Sequence, residues 1–164
     1  MLTLEKITWE NFNEVISLTV SDTQKAYTQP NTVFIAQGYV NLSSNYLNTL
    51  KAITLDNVTI GFVKWVDVPK DVKPYDLQEH VTMIDAFMID QKYQGKGLGR
   101  KTLKLVIEAI KKDVRYQGHS ICLLCHKENT IAQHFFQSND FIPLMKSYES
   151  NGKTYLWYKH NQKP

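Results

Sequence analysis

Hydrophobic spacing predicts two short helices at the start of the chain. Apolar residues follow near-helical spacing from Trp9 to Thr19, and a second helical stretch is expected from Phe34 to Leu47. The tripeptide Gln29-Pro30-Asn31 separates them, because a proline disfavours helical backbone in the residue before it. The first forty residues are therefore predicted to be helical and then irregular, before the second helical stretch continues to Leu47.

The pattern then changes to that of β-strands. Residues 51–55 and 58–66 are apolar-rich runs that flank Asp56-Asn57, a two-residue signal for a hairpin turn. A polar loop follows, and then a third run from Val81 to Ile89. These segments are predicted to be strands of one sheet.

The second half of the chain alternates strands and helices. Glycines between residues 95 and 99 precede the most regular helix, whose apolar residues from Leu103 to Ile110 fall on one face. This order predicts an α+β fold, with a mixed, mostly antiparallel central sheet flanked by helices. The other predicted elements are a strand from Ile121 to Cys125, a helix from Thr130 to Ser138 capped by Asn129, and a hairpin of Phe141 to Tyr148 and Thr154 to Lys159 around Asn151-Gly152.

Composition favours one globular domain over residues 1–164. The chain has 164 residues, of which 43% are apolar and 21% charged. No apolar run approaches the roughly 18–20 residues that cross a bilayer, and the N-terminus lacks the pattern of a secretory signal. Two cysteines are too few to staple a chain of this length. These features predict a reduced, cytoplasmic protein with no membrane partner.

The distribution of charge indicates a small anionic ligand. The net charge is +3, which is too small to argue for nucleic acid. Residues 91–112 alone hold seven cations and one anion, a local balance of +6. A confined basic segment suits a small polyanion better than a duplex, although a solvated helix face would show the same pattern.

The glycine-rich run between the third strand and the long helix predicts a phosphate site. Gly95, Gly97 and Gly99 allow a ligand to approach the backbone closely. Free N–H groups at a helix start bind anions, and Lys96 and Arg100 add positive charge. Two nucleotide motifs fail at the same place, because both the P-loop and the dinucleotide fingerprint require a glycine where this chain has Arg100.

The run does match Gln-x-x-Gly-x-Gly, from Gln94 to Gly99. With it, the sequence resembles the GNAT superfamily of acetyl-CoA-dependent N-acetyltransferases. The resemblance covers nearly the whole chain, because further segments match the family pattern in the same order. They are the strand from Asp85 to Asp90, Asn129-x-x-Ala132 and the closing Phe141. Within the superfamily the chain resembles the bacterial diamine and spermidine/spermine N-acetyltransferase branch, through residues 24–27 and an acidic residue at position 85.

The resemblance implies a GNAT fold and acetyl-CoA as co-substrate. Backbone groups of the third strand would pair with the pantetheine arm, and one N–H would polarise the thioester carbonyl. Amides of the glycine run would hold the pyrophosphate, and Asn129 would contact the pantetheine. The implied cofactor-binding residues are Phe87, Met88, Ile89, Gln94, Gly95, Lys96, Gly97, Leu98, Gly99, Arg100, Asn129 and Phe136.

The resemblance also implies an amine site. Asp85 matches the acidic position that orders water and accepts the amine's proton in polyamine acetyltransferases, and Gln24 and Tyr27 are the implied substrate-binding residues. Strand alternation predicts that Asp85 lies on the same face as Phe87 and Ile89. A solvent-facing carboxylate at a strand start is the alternative.

One residue departs from the family pattern at a chemically important position. The usual tyrosine, which protonates the leaving thiolate, would stand at position 136, where this chain has Phe136. His134 lies on another helix face and is a poor replacement. Because a thiolate is a tolerable leaving group, the loss is expected to cost on the order of 10²-fold in rate.

The cysteines are not predicted to do chemistry. Cys122 and Cys125 are three residues apart in a predicted strand, so they point to opposite faces and suit buried packing better than zinc or redox chemistry. We therefore expect no metal and no acetyl-cysteine intermediate.

Three functions remain open from the sequence. The first is acetyl transfer to a primary amine such as spermidine, by direct attack in a ternary complex. The others are a non-catalytic acyl-CoA-binding sensor, which Phe136 favours, and an acetyltransferase for a peptide or antibiotic amine. The expected partner is a small-molecule amine acceptor, and no nucleic acid partner is expected. The resemblance leaves a homodimer open, because members of this family often dimerise.

Overall fold

The computed structural model describes residues 1–75 and 77–161. Besides two single 3₁₀ turns, its regular elements are seven strands and five helices. They are β1 (Leu2–Glu5), α1 (Trp9–Ser17), α2 (Asp22–Lys25), α3 (Asn31–Ser43), β2 (Asn48–Leu55), β3 (Val58–Val68), β4 (Val81–Ile89), α4 (Leu98–Lys112), β5 (Ser120–His126), α5 (Thr130–Gln137), β6 (Phe141–Ser150) and β7 (Lys153–His160).

All seven strands form one sheet in the order β1-β2-β3-β4-β5-β7-β6. Only β4 and β5 are parallel, and the other neighbours are antiparallel. Both predicted hairpins are confirmed. Asp56 and Asn57 have φ of 49° and 67°, and Asn151 and Gly152 have φ of 50° and 72°, the left-handed backbone that these residue types tolerate. The predicted α+β fold is therefore confirmed.

Helices cover both faces of the sheet. The apolar face of α4 packs with Ile53, Val63, Ile84 and Ile89 in the main core. On the other face α1 and α3 pack over a smaller cluster that includes Ala52, Phe62 and Ala86. No helix in the described part of the chain has the length and apolar character that a membrane crossing requires.

The N-terminal region differs most from its prediction. The sequence analysis did not predict β1, which pairs Leu4 with Ile53 at the sheet edge. A four-residue strand has too few positions to show alternation, and its pairing with β2 is made across fifty residues of chain. The helix α3 also begins earlier than predicted, at Asn31, because Pro30 suits the start of a helix and only its predecessor is disfavoured.

The sheet opens between its two parallel strands. Pairing of β4 with β5 runs from Val81↔Ser120 to Ile84↔Leu123 and stops there. Beyond Ile84 the strand β4 continues to Ile89, while β5 continues to His126 along β7. The edge of β4 from residue 85 onward therefore faces a cleft instead of a neighbouring strand.

Candidate active site

A cavity of about 800 Å³ occupies the opening between β4 and β5. Its size is within the usual range for cofactor and substrate sites. It brings together the C-terminal half of β4, the end of β5, the start of α4, one side of α5, the segment after α2 and the β6–β7 hairpin. Most of the residues predicted from the sequence line it, namely Gln24, Tyr27, Asp85, Phe87, Met88, Ile89, Gln94, Gly95, Gly97, Gly99, Arg100, Asn129 and Phe136.

The start of α4 has the geometry of an anion site. Gly97 is its N-cap residue with φ of 71°, and α4 extends for 15 residues with no acidic side chain in its first turn. The N–H groups of a helix's first turn have no partners within the helix, and the helix dipole adds positive potential there. A Cβ placed on Gly95 or Gly97 would meet no atom within 4 Å, so the space above this turn is open.

Two residues of the glycine run point their side chains elsewhere. The Lys96 ammonium donates to the Lys92 carbonyl at 3.0 Å and lies over the Tyr93 ring. The Leu98 side chain packs against the main core. Neither residue lines the cavity, so each can contribute only its backbone amide to an anion site. Arg100 is the cation of this run whose residue does line the cavity.

Gln94 ties the glycine run to the rest of the site. Its Nε2 donates to the Ile89 carbonyl at 2.8 Å and to Gln24 Oε1 at 3.2 Å. The same Gln24 oxygen accepts from the Ser21 backbone. Gln24, predicted as a substrate-binding residue, is thus held against the cofactor motif, and both glutamines position the turn relative to β4.

Asn129 and Phe136 stand on α5 at the other side of the cavity. The Asn129 side chain accepts from Ala132 N–H at 3.2 Å, which confirms the predicted N-cap. Phe136 packs edge-on against Phe87 of β4 and against Phe141. Among the residues that the structure describes, the neighbours of the Phe136 ring are therefore largely aromatic.

The prediction for the face of Asp85 is wrong. A β-bulge shifts the β3–β4 register, so that Lys64 pairs with Ala86 and Trp65 with Ile84, and Asp85 has no partner residue of its own. The bulge breaks the two-residue alternation. The Asp85 carboxylate meets the Lys64 ammonium at 2.5 Å. Val63 and Trp65, on either side of Lys64, face the core that contains Phe87, so Lys64 and the Asp85 carboxylate lie on the opposite face of the sheet.

The Asp85–Lys64 pair lies mostly out of water. The Lys64 side chain is 2% exposed and that of Asp85 is 25% exposed. Asp85 also borders the main cavity, so this carboxylate neutralises a buried cation on one side and faces the cleft on the other. The sequence analysis did not predict this pair, because it depends on the register between β3 and β4 and on the bulge.

An aromatic wall closes the far end of the cavity, and the sequence analysis found only its first member. We use this name for Tyr27, Tyr75, His126, Tyr148 and Tyr155. The Tyr27 and Tyr155 rings lie 5.1 Å and 5.4 Å from the His126 ring, and Tyr148 lies 5.1 Å from Tyr75 and 6.2 Å from Tyr155. The alternation of β6 and β7 was a usable signal, since Tyr148 and Tyr155 are directly opposed across the hairpin.

A hydrogen bond assigns the tautomer of His126, and burial sets the ionisation of Tyr75. His126 Nδ1 accepts from the Glu128 N–H at 3.1 Å, so the neutral ring carries its proton on Nε2 and is a donor there. Burial, with a contribution from the Asp85 charge, raises the pKa of Tyr75 to about 12. At neutral pH the Tyr75 hydroxyl is therefore neutral, and the wall offers ring faces beside it.

The two cysteines are unsuited to nucleophilic catalysis. Both are free and buried. Burial raises the pKa of Cys122 to about 12 and the pKa of Cys125 to about 11. Since the thiolate is the nucleophile, both groups are inert near neutral pH, which agrees with direct attack by the amine.

Comparisons with known proteins agree on one family. Residues 5–141 match the sequence profile of the acetyltransferase (GNAT) family. A search of curated protein sequences finds no match to this chain.

Solved structures share the fold over nearly the whole chain. The aminoglycoside acetyltransferase AAC(6')-Ib in complex with coenzyme A has a TM-score of 0.74 at 15% identity and covers 99% of this chain and 95% of its own. Naa50 of Arabidopsis thaliana, in complex with the bisubstrate analogue CoA-Ac-MVNAL, has a TM-score of 0.63 at 14% identity, with 98% and 99% covered. The PaiA N-acetyltransferase of Thermoplasma acidophilum, in complex with coenzyme A, has a TM-score of 0.61 at 18% identity, with 98% and 99% covered. At identities this low, the structural similarity shows a shared fold and nothing more specific.

Proposed function

Since the chain belongs to the acetyltransferase (GNAT) family, an acetyl-CoA-dependent family of N-acetyltransferases, we propose that it acetylates a primary amine that lies along the aromatic wall. The observation that carries this proposal is the continuity of the cavity. It extends from the anion-binding start of α4, along the unpaired edge of β4, to Asp85 and the wall. A donor and an acceptor can therefore occupy one cavity together.

The donor half of the cavity suits acetyl-CoA. Amides of residues 95–100 and the Arg100 side chain would hold the pyrophosphate. The pantetheine arm would take the place of a strand along Phe87, Met88 and Ile89, with Asn129 on its other side. An N–H of this edge of β4 would polarise the thioester carbonyl as negative charge develops on its oxygen.

The acceptor half suits direct attack by a neutral amine. The amine nitrogen forms a bond to the carbonyl carbon, the C–S bond breaks, the nitrogen gives up its extra proton to a base, and the leaving thiolate takes up a proton from solvent. Lys64 engages Asp85 Oδ2, so Oδ1 is the oxygen that would receive the amine's proton through an ordered water. His126 is unsuited to that role, because its neutral ring carries a proton on Nε2 and its other nitrogen is occupied.

Two observations bear on the class of amine. A polyamine is supported by Asp85 and by the wall, since the faces of tyrosine rings attract alkylammonium groups. Among the described residues that line the cavity, however, Asp85 is the only acidic one, while Arg100 and Lys153 are basic. This balance favours a second candidate, an acceptor of low charge such as a peptide N-terminus.

An acceptor panel tests the proposal. We expect thiol release from acetyl-CoA to increase at least about tenfold over hydrolysis with spermidine or a diamine. A peptide with a free N-terminus and an aminoglycoside are the competing acceptors at equal concentration. Turnover of the peptide alone would replace the polyamine with the second candidate. Binding of acetyl-CoA without turnover of any amine would overturn the proposed function and favour a sensor.

A pair of variants separates catalysis by Asp85 from its structural role. Asp85→Asn should lower the free energy of unfolding by about 3 kcal/mol, because it leaves the buried Lys64 charge without a partner. It should also lower kcat/KM for the amine at least about tenfold, with CoA affinity retained. Urea unfolding and steady-state kinetics measure the two effects.

The double variant Lys64→Met/Asp85→Asn is the control. It removes both charges and should recover most of the stability while activity stays low. Full recovery of activity in the double variant would mean that Asp85 serves only as the counter-ion of Lys64.

A homodimer, a cytoplasmic location and one domain spanning residues 1–164 stay predictions.

A further inference from the structure

A second cavity, of about 370 Å³, adjoins the main cavity at its acceptor end. Gln37, Tyr75 and Asp85 line both cavities, so the two spaces meet at these three residues. From there the second cavity continues between α3 and the end of β3, and it is also lined by the loop that joins β3 to β4. The proposed acetyl transfer uses only its junction with the main cavity.

The second cavity extends along the acceptor side of the sheet. Its floor follows β3 from Lys64, the partner of Asp85, to Val68. Val66 and Val68 follow Lys64 at two-residue spacing, so all three lie on the face that carries the Asp85 carboxylate. A strand advances about 3.3 Å per residue, and the floor therefore extends about 13 Å beyond the ion pair. An amine that reacts beside Asp85 can continue along this floor.

The lining of the second cavity suits a chain of methylene and N–H groups. Val66, Val68 and Met83 are buried and supply apolar surface. Gln37 and Asn41 of α3 supply side-chain amides, whose oxygens accept hydrogen bonds from N–H groups. Within residues 1–75 and 77–161, neither of these side-chain amides is hydrogen-bonded to another residue. Apolar surface with a few polar groups is the usual composition of a ligand site.

Charge does not single out a cationic chain. The described residues that line the second cavity include two aspartates and two lysines. Asp85 pairs with Lys64, and the Asp67 carboxylate lies 2.7 Å from His80 Nε2 and 3.3 Å from His119 Nδ1. Since both carboxylates already have close partners, recognition here depends on the length of the chain and on its N–H groups. The chain of a polyamine and the first residues of a peptide both have these properties.

The geometry points to a subsite in the second cavity for the distal chain of the acceptor, an extended primary amine with N–H groups along its chain. This inference rests on the proposed acetyl transfer and adds that the enzyme selects its acceptor by length. A compact amine would leave the second cavity empty. Asn41 is a specificity-determining residue in this arrangement, because it lines the second cavity and not the main one.

Two length series with the unmodified chain test the subsite. The first compares diaminopropane with spermidine, and the second compares glycine amide with triglycine amide. We expect kcat/KM to be at least about tenfold higher for the longer member of the series that is turned over. The series in which turnover occurs identifies the distal chain as that of a polyamine or that of a peptide.

Asn41→Phe locates the length preference in the second cavity. Asn41 is half-buried on α3, and the larger ring would occupy the space of the distal chain. The ratio of kcat/KM for the longer amine to that for the shorter one should fall at least about tenfold. Val72→Phe, in the loop between β3 and β4, should lower the ratio in the same way, because Val72 also lines only the second cavity.

Ala36→Phe is the matched control. Ala36 is exposed on the same helix and lines neither cavity, so this variant should keep the ratio of the unmodified chain. Thermal unfolding shows that each variant is folded. The subsite is overturned, with acetyl transfer intact, if short and long amines have equal kcat/KM or if the folded cavity variants keep the ratio of Ala36→Phe. Absence of turnover with every amine is a different result, which overturns the proposed function and the subsite together.

Discussion

Gly97→Glu is expected to weaken coenzyme A binding at least about 100-fold, a loss of about 2.7 kcal/mol. The new carboxylate would stand at the N-cap of α4, where the proposal places the pyrophosphate. It would compete for the same N–H groups and repel the ligand's negative charge. Calorimetric titration of coenzyme A measures the effect.

The fold should survive this substitution. A left-handed backbone costs a residue with a side chain roughly 1–2 kcal/mol, and Gly97 has φ of 71°. The surrounding space is open, and a negative charge at a helix start is itself stabilising, which offsets part of that cost. Loss of binding should therefore occur in a folded protein.

Gly118→Glu is the matched control. Gly118 has φ of 80°, and a Cβ there would also meet no atom within 4 Å. It lies in an exposed turn before β5, away from the cavity lining. The two variants share the strain and the added charge, so equal coenzyme A affinity in both would show that the start of α4 does not hold the pyrophosphate.

Sequence reasoning succeeded where local chemistry fixes local structure. The strand Val81–Ile89 and both hairpins agree with the prediction, because turn residues such as Asn151-Gly152 specify their own backbone. The helix α4 agrees as well, since its apolar residues alone define a buried face. Because the strand and the helix are both locally specified, the sequence alone places the glycine run between them at a helix start.

It failed where one strand depends on another. The bulge at Asp85 is a property of the β3–β4 register, and no pattern within β4 alone encodes it. The pairing of Lys64 with Asp85 follows from the same register. Likewise, Asp67, His80 and His119 are separated by up to fifty-two residues, and their polar side-chain atoms lie within 4.8 Å of one another because β3, β4 and β5 are neighbours.

The largest gain in activity is expected from Phe136→Tyr. If thiolate departure limits turnover, a phenol at this position would supply the acid that the family pattern provides. We expect kcat to rise at least about tenfold near pH 6–7, where an unassisted thiolate, with a thiol pKa of about 8.5, is the poorer leaving group. The gain should shrink as the pH approaches about 10, because an ionised phenol has no proton to donate.

The packing of Phe136 sets the competing outcome. Its ring is half-buried and lies against Phe87, Phe135 and Phe141. A hydroxyl that stayed among these rings would lose its hydrogen bonds to water and cost roughly 1–3 kcal/mol of stability. One that reached the cavity would keep a partner there, so the Tm of the variant separates the two positions.

Phe135→Tyr completes the test. Phe135 also lines the cavity, but it stacks on Phe87 and would lie 3.4 Å from a Cβ placed on Gly99. Its added hydroxyl should leave kcat within about twofold of the unmodified chain at every pH, because that position is not the one that matches the family's acid. Rates from about pH 6 to 9 with saturating acetyl-CoA compare all three proteins. A folded Phe136→Tyr protein with no gain over Phe135→Tyr would mean that residue 136 does not stand at the leaving thiolate, or that departure of the thiolate does not limit turnover.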